Sequence, residues 1–325
     1  MEIMQRMRTG AIGICGLLLA VANLLPGRQV AATFTPAPSV PPTPATTPSP
    51  GPIPAILVTP EDPVLVGAGD IAACDSDGDE KTAALLDDIP GTVFTLGDNA
   101  YPDGTREQFA KCYEPTWGRH KARTRPAPGN HDYRTRGAAA YFDYFGPAAG
   151  DRDKGYYSYD LGRWHVVVIN SNCGQIGGCH TGSPQENWLR ADLATHRTPC
   201  AVAMWHHPRF SSSAEHGNDP SMRDIWKTLQ DKGVDLVLAG HDHDYERFGP
   251  QDADGNADEG GVRSIVVGTG GRSFYPFGRL QPNSVIRNTG SPGVLKLTLH
   301  PDSYDWRFIP TPGSTFTDSG TAKCR

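Results

Sequence analysis

The sequence predicts a fold of the α/β class with mixed α+β character, and three features lead to it. Four short apolar or β-rich runs have strand length: Val64–Ala68, Thr92–Leu96, Ala201–Met204 and Val234–Ala239. Helical patterns interleave with such runs early in the chain, whereas the last part carries strand candidates without helices between them. Each of the four runs also ends in a Gly or Trp followed at once by Asp or His. In open α/β sheets, ligands bind outside the carboxyl ends of the strands.

Taken in order, residues 1–32 read as a secretory signal. Arg6 and Arg8 form a positive start, Ala11–Leu25 an apolar core, and Val30-Ala31-Ala32 a small-residue cleavage site. That core spans 15 residues, short of the roughly 20 that cross a bilayer. Residues 33–63 form a linker whose Pro36–Pro60 stretch is rich in Pro, Thr and Ser, with no charge before Glu61. Such composition builds no core and favours an extended, polyproline-like tether, which suits cell-envelope association. Residues 64–325 then make one large domain.

Within it, Asp79–Asp88 reads as a helix stopped by Pro90, with Asp79 as a candidate N-cap. Arg123–Pro128 reads as extended chain. Tyr156–Asp160 and Trp164–Asn170 are strand candidates. Ser183–His196 has Trp188, Leu189 and Leu193 near helical spacing, with Pro184 in its first turn. Met222–Lys232 is a further helix, ending before Gly233. Val262–Val267, Val294–Leu299 and Tyr304–Ile309 complete the strand candidates.

Five segments carry the chemistry: Gly69-Asp70, Gly97-Asp98-Asn99-Ala100-Tyr101, Gly129-Asn130-His131-Asp132, Trp205-His206-His207-Pro208 and Gly240-His241-Asp242-His243. Their candidate metal ligands are Asp70, Asp98, Tyr101, Asn130, His206, His241 and His243. This oxygen and nitrogen set, without thiolate, suits Zn, Mn or Fe. Seven ligands exceed one tetrahedral ion and suit two ions sharing a carboxylate, which clamp both oxygens of an in-line displacement. Singly, each segment is also a common turn pattern; their joint presence is what carries the reading.

In this order the five segments resemble those of the calcineurin-like metallophosphoesterases, and the tyrosine three residues after Asp98 narrows the likeness to the purple acid phosphatases. The resemblance covers residues 64–310. It implies two stacked mixed β-sheets flanked by helices. It implies Asp70, Asp98, Tyr101 and His243 around Fe(III), and Asp98, Asn130, His206 and His241 around a divalent ion (Zn, Fe or Mn), with Asp98 as the bridge. It further implies that His131 and His216 contact substrate and handle protons. Asp132 is expected to orient His131. Gly-Asp-Ile-Ala departs from the better-known plant and animal members, which carry a Gly in place of that Ala. The length is that expected of a minimal catalytic domain without the plant enzymes' extra β-sandwich.

Other features read more plainly. His207 is expected as a packing or rim residue, Arg247 as a structural anchor or a charge supporting the ligands, and His120, His165, His180, His196 and His300 as surface or core residues. Asp75–Glu80 and Asp252–Glu259 fail the twelve-residue calcium loop, with Glu80 and Ala257 where Gly belongs. Gly268–Gly271 signals close backbone approach. Formal charge is −6 overall; the signal carries +2, leaving about −8, which disfavours nonspecific nucleic-acid binding. Beyond Cys15, the six cysteines Cys74, Cys112, Cys173, Cys179, Cys200 and Cys324 suit an exported, disulfide-bonded chain, although six allow fifteen pairings. The favoured pairs are Cys74 with Cys112, Cys173 with Cys179, and Cys200 with Cys324. The leading function is an exported phosphomonoesterase working by direct attack of metal-bound hydroxide on a small phosphate ester. The alternatives are a phosphodiesterase of the same superfamily and a non-catalytic cell-surface binding protein.

Overall fold

The computed structural model describes residues 62–325; the expected signal and nearly all of the linker lie outside the described residues. Among the described residues, fifteen strands form two mixed sheets and one short pair. The strands are β1 (Val64–Ala68), β2 (Ala72–Ala73), β3 (Thr92–Leu96), β4 (Ala100–Tyr101), β5 (Thr124–Ala127), β6 (Tyr157–Leu161), β7 (Trp164–Val168) and β8 (Cys200–Trp205). They continue as β9 (Leu236–Ala239), β10 (Tyr245–Phe248), β11 (Arg263–Val267), β12 (Ser284–Asn288), β13 (Gly293–Leu299), β14 (Ser303–Pro310) and β15 (Ser319–Lys323). One sheet runs β15-β14-β13-β1-β3-β5 and the other β12-β10-β11-β9-β8-β7-β6, while β2 pairs with β4.

Alternation along the strands builds two cores. Val166, Val168, Val202, Met204, Leu236 and Leu238 point between the sheets, where they share one apolar cluster with Leu65, Phe94, Leu295 and Leu297. Their neighbours Val167, Ala201, Ala203, Trp205 and Val237 face outward. There they meet helices α4 (Pro184–Thr195) and α5 (Arg223–Asp231) through Leu189, Leu193, Ile225, Trp226 and Leu229. Each such side chain contributes about 1.5–3 kcal/mol on burial. Helix α1 (Gly78–Asp87) covers the first sheet with Ala83 and Leu86. The short α2 (Arg106–Gln108), which widens into Phe109–Tyr113, and α3 (Ala139–Phe145) pack an aromatic cluster of Phe109, Tyr113, Tyr144 and Phe145 against it.

Several expectations shift. Arg123–Pro128 contains a true strand, β5, paired parallel to β3. Asp79 does not cap α1. It sits in the first turn, buried, and accepts the Thr116 hydroxyl at 2.8 Å, while Ser76 Oγ accepts the Gly78 N–H. Ser183 caps α4 by accepting from Glu186 N–H. The strands β10, β12 and β15 and the helical turns between residues 106 and 145 carry little periodicity and were not expected. Arg247 is an anchor: with Tyr245 and Trp306 it donates to the buried Asp318 carboxylate. All three favoured cysteine pairs form disulfides, Cys74–Cys112, Cys173–Cys179 and Cys200–Cys324. Among the described residues, no helix is long and apolar enough to cross a membrane.

Two histidines read as ordinary core or surface residues are held between carboxylates. His165 bridges Asp160 and Asp192, each at 2.7 Å, and His300 bridges Asp62 at 2.9 Å and Asp305 at 3.1 Å. Burial works against the cation at both, but the flanking carboxylates outweigh it and raise both imidazoles. A raised folded value stabilises fully below the unfolded value near 6.5 and is lost as pH rises through the folded one. Thermal unfolding should therefore show a stability contribution from His165 at pH 5.5 that is lost by pH 8.5. His165→Gln should flatten that slope, and an unchanged slope would remove the assignment.

Candidate metal centre

The parallel strands of both sheets end at one edge, and that edge gathers the candidate ligands. Asp70 follows β1, Asp98 follows β3, Asn130 follows β5, His206 follows β8 and His241 follows β9. Asp70, Asp98 and His241 adopt left-handed backbone, with φ of +61°, +51° and +71°. Such conformations are strained for residues with a Cβ and cluster where the surroundings enforce them. Here they turn the side chains inward immediately after each strand.

The gathered atoms form two groups. In one, the Tyr101 hydroxyl lies 2.9 Å from Asp70 Oδ1, 3.0 Å from Asp98 Oδ2 and 3.1 Å from His243 Nε2. In the other, His206 Nε2 lies 2.9 Å from Asn130 Oδ1, 3.1 Å from His241 Nδ1 and 3.3 Å from Asp98 Oδ1. Asp98 thus turns one carboxylate oxygen to each group. All seven sequence-derived candidates meet here.

The backbone fixes which ring nitrogens face inward. His206 Nδ1 bonds the Leu96 carbonyl at 2.7 Å and His243 Nδ1 the Ser273 carbonyl at 2.7 Å, leaving Nε2 of each for the centre. The His241 N–H donates to Asp70 Oδ2 at 2.8 Å, tying the two groups together. Two glycines make the crowding feasible: a Cβ on Gly129 would strike the Asp98 carboxylate, and one on Gly97 would sit 2.5 Å from His206 Nδ1.

The electrostatics favour cations. Asp70 and Asp98 are buried side by side at 0% and 1% exposure, which is costly without compensating positive charge. Burial works against ionised Asp98, but His206 and His131 outweigh it and hold the carboxyl far below its usual range. Burial also opposes charge on His206, yet Asp98, Asp70 and the Leu96 carbonyl raise it to about 9. Burial and the two carboxylates push the Tyr101 phenol well up. Asp70, Asp98 and His206 present ligand atoms within 4.8 Å of one another, as do His206, His207 and His241. A pair of cations would relieve this clustering of anionic oxygens, so the residues fit a two-metal centre in donor chemistry and placement.

Around it, His131 packs its ring 4.6 Å from that of Tyr101, bonds the Pro102 carbonyl through Nδ1, and sets Nε2 3.8 Å from Asp98 Oδ2. Asp132 does not orient it, contrary to expectation. Its Oδ2 is turned inward to Gly129 N–H at 2.8 Å and Asn99 Nδ2 at 2.9 Å, so it fixes the turn bearing Asn130 instead. That interior position pushes the Asp132 carboxyl up to about 7 through burial and nearby Asp98. His216 is exposed and stacks on His241, with centroids 4.0 Å apart. His207 is at the rim as expected, bonded to Ser171 Oγ at 2.8 Å with its ring 4.4 Å from that of His241.

Sequence reasoning missed three neighbours. Tyr275 stacks on His243 at 4.0 Å, Arg272 places its guanidinium 4.9 Å from the Tyr101 ring centre, and Arg134 Nη2 lies 3.5 Å from His131 Nε2. The Gly268–Gly271 signal pointed to the right place: these glycines leave β11, parallel to β9, at the same edge. Gly268 abuts the Asp242 carbonyl and Gly271 that of Ile71. Asp244, between His243 and β10, is fully buried with neither carboxylate oxygen hydrogen-bonded. Burial, with Asp242, Glu246 and Asp70 nearby, raises its carboxyl well above the usual range.

Gly129→Ala should displace the Asp98 carboxylate. Bound metal, measured by elemental analysis after reconstitution, should fall from about two equivalents to one or fewer, with the unfolding temperature reduced. Full metal content in that variant would contradict the close approach.

With this geometry established, comparisons with known proteins place the chain. Residues 64–245 match the family model described as calcineurin-like phosphoesterase. Purple acid phosphatase 18 of Arabidopsis thaliana is 31% identical over 128 residues, covering 38% of this chain and 28% of that protein. Purple acid phosphatase 21 of the same plant is 36% identical over 121 residues, covering 36% and 26%. The matched stretch thus spans under a third of these relatives' length. A purple acid phosphatase from yellow lupin seeds (Lupinus luteus) superposes with a TM-score of 0.66 at 19% identity, over 81% of this chain and 54% of that one, and so shares the fold. The chain belongs to the calcineurin-like phosphoesterase family.

Proposed function

We propose that this protein is an exported acid phosphatase of the purple type, hydrolysing phosphomonoesters at a two-metal centre. The observation that carries the reading is Asp98, which offers one oxygen to the Asp70, Tyr101 and His243 group and the other to the Asn130, His206 and His241 group. In this reading Asp70, Asp98, Tyr101 and His243 hold Fe(III), and Asp98, Asn130, His206 and His241 hold a divalent ion, Zn, Fe or Mn. When bound, such a pair supplies a hydroxide nucleophile at low pH and neutralises charge on the phosphate. The three neighbouring oxygen and nitrogen contacts of the Tyr101 hydroxyl favour a ligand role over packing.

The chain's own residues do the rest. Asn130, held by the turn that Asp132 fixes, directs its amide oxygen at His206 Nε2. His131 is pinned through Nδ1, so in its doubly protonated form Nε2 is the nitrogen that donates a proton to the departing alkoxide and leaves the neutral Nδ1–H ring. His216, stacked on His241, approaches the same space from a different loop and supplies a second donor. Attack is direct, without a phosphoenzyme. The division into a 1–32 signal, a 33–63 linker and a 64–325 catalytic domain, and location in the cell envelope, belong to the same proposal; the three disulfides support export.

The test combines spectrum, metal content and turnover. The purified, unreduced protein should contain iron and show a broad visible band from Tyr101. A colourless protein holding two zinc or manganese ions would demote Tyr101 to packing. Asp98→Asn should cut kcat/KM for 4-nitrophenyl phosphate at least about 1,000-fold, and His216→Ala about 10- to 100-fold; a reversed order would undo the roles. Faster turnover of bis(4-nitrophenyl) phosphate than of the monoester would favour a phosphodiesterase instead.

A further inference from the structure

The segment Gly271–Tyr275 lies along the Tyr101 and His243 side of the centre and is fastened to it at both ends. The Arg272 N–H donates to the Asp70 carbonyl and the Tyr275 N–H to the His243 carbonyl, each at 3.1 Å. From below, Ser76 Oγ donates to the Gly271 carbonyl at 3.2 Å and Thr82 Oγ1 to that of Gly270. Gly78, opening α1, packs backbone to backbone on Gly271, where a Cβ would collide. The base of the Arg272 side chain is therefore fixed by the same residues that shape the centre.

Its guanidinium is much less committed. It covers the Tyr101 ring, and among the described residues its one ion pair is with Asp75 at 3.3 Å; the Asp75 side chain is 81% exposed and that of Arg272 30%. Exposed pairs of this kind contribute little and are readily exchanged. Two cavities adjoin at Arg272. One, of about 280 Å³, is lined by Cys74, Asp75, Tyr101, Pro102 and Gln108. The other, of about 950 Å³, extends past Lys81, Phe274 and Pro292. Lys81 is already paired with Asp77 at 2.8 Å. Arg272, unlike Lys81, lines both spaces, one aromatic ring away from the oxygen that faces Asp70, Asp98 and His243.

Resting on the phosphatase reading, the geometry points to Arg272 as the residue that selects the leaving group: it favours phosphate esters and anhydrides whose departing part carries a second oxyanion, a carboxylate or a phosphate. A guanidinium fork matches either group bidentately. Its displacement from the Asp70, Asp98 and Tyr101 cluster places it on what extends beyond the scissile phosphate. Asp75 is the competitor that such a group displaces.

The test compares 4-nitrophenyl phosphate, 2-phosphoglycolate and pyrophosphate with the full, metal-loaded chain. Arg272→Gln should lower kcat/KM at least about 10-fold for phosphoglycolate, pyrophosphate or both, mainly through KM, and change 4-nitrophenyl phosphate by less than about 3-fold. Loss confined to phosphoglycolate identifies a carboxylate as the partner, and loss confined to pyrophosphate a phosphate. Asp75→Asn should shift KM for the same substrate downward. Equal losses on all three substrates, or none, would overturn the inference. Titration calorimetry with phosphoglycolate and orthophosphate separates the two readings. If no ester is hydrolysed yet Arg272→Gln weakens phosphoglycolate binding alone, the oxyanion site stands and the phosphatase reading falls. If both ligands bind the variant as they bind the parent, the site is absent.

Discussion

Two carboxylates, Asp70 and Asp98, lie buried at the seam where the carboxyl edges of two β-sheets meet, and the organisation of that edge follows from their charge. Burying like charges together is tolerated only where positive charge and hydrogen bonds compensate. Here His206, His241 and His243 crowd in from the second sheet, and the Tyr101 hydroxyl contacts both acids. The left-handed backbone at Asp70, Asp98 and His241 is the local strain that accompanies this arrangement. The sandwich core on either side holds it in place, because the strands leading to these turns are buried along nearly their whole length.

The surrounding residues divide into those that fix the centre and those that face outward from it. Leu96 and Ser273 carbonyls select the inward nitrogens of His206 and His243. Asp132 and Asn99 lock the turn carrying Asn130, so the acid next to His131 serves that turn instead of the ring. His131, His216, Arg272 and Tyr275 stand on the open side, on three loops of which one carries both Arg272 and Tyr275, which is where differences in substrate preference arise in folds of this kind.

Away from the centre, the acidic stretches that invite a calcium reading are accounted for by ordinary turns. Asp77 pairs with Lys81, and Asp252 accepts the backbone N–H groups of Asp254 and Asn256. Asp318 draws Tyr245, Arg247 and Trp306 onto one carboxylate, which joins β10 of one sheet to the terminal hairpin of the other. The Cys200–Cys324 bond also links the two sheets covalently, from the first residue of the strand that leads to His206.

What the sequence by itself determined was local. Strand-length apolar runs, each ending in a turn with Asp, Asn or His, were readable because side-chain type and backbone turn lie within a few residues. The seven candidate ligands and most strand positions followed from that. The helical turns at 106–145 and the strands β10, β12 and β15 were not readable. Their residues are patterned by contacts with distant segments and not by a regular period. Only the tertiary structure decided how the candidates group, with Asp98 facing both ways. It alone turned Asp132 toward Gly129 and Asn99 and brought Arg272 over Tyr101, 171 positions earlier in the chain. Direction and contact through space are set by packing between the sheets, and no window along the chain contains that information.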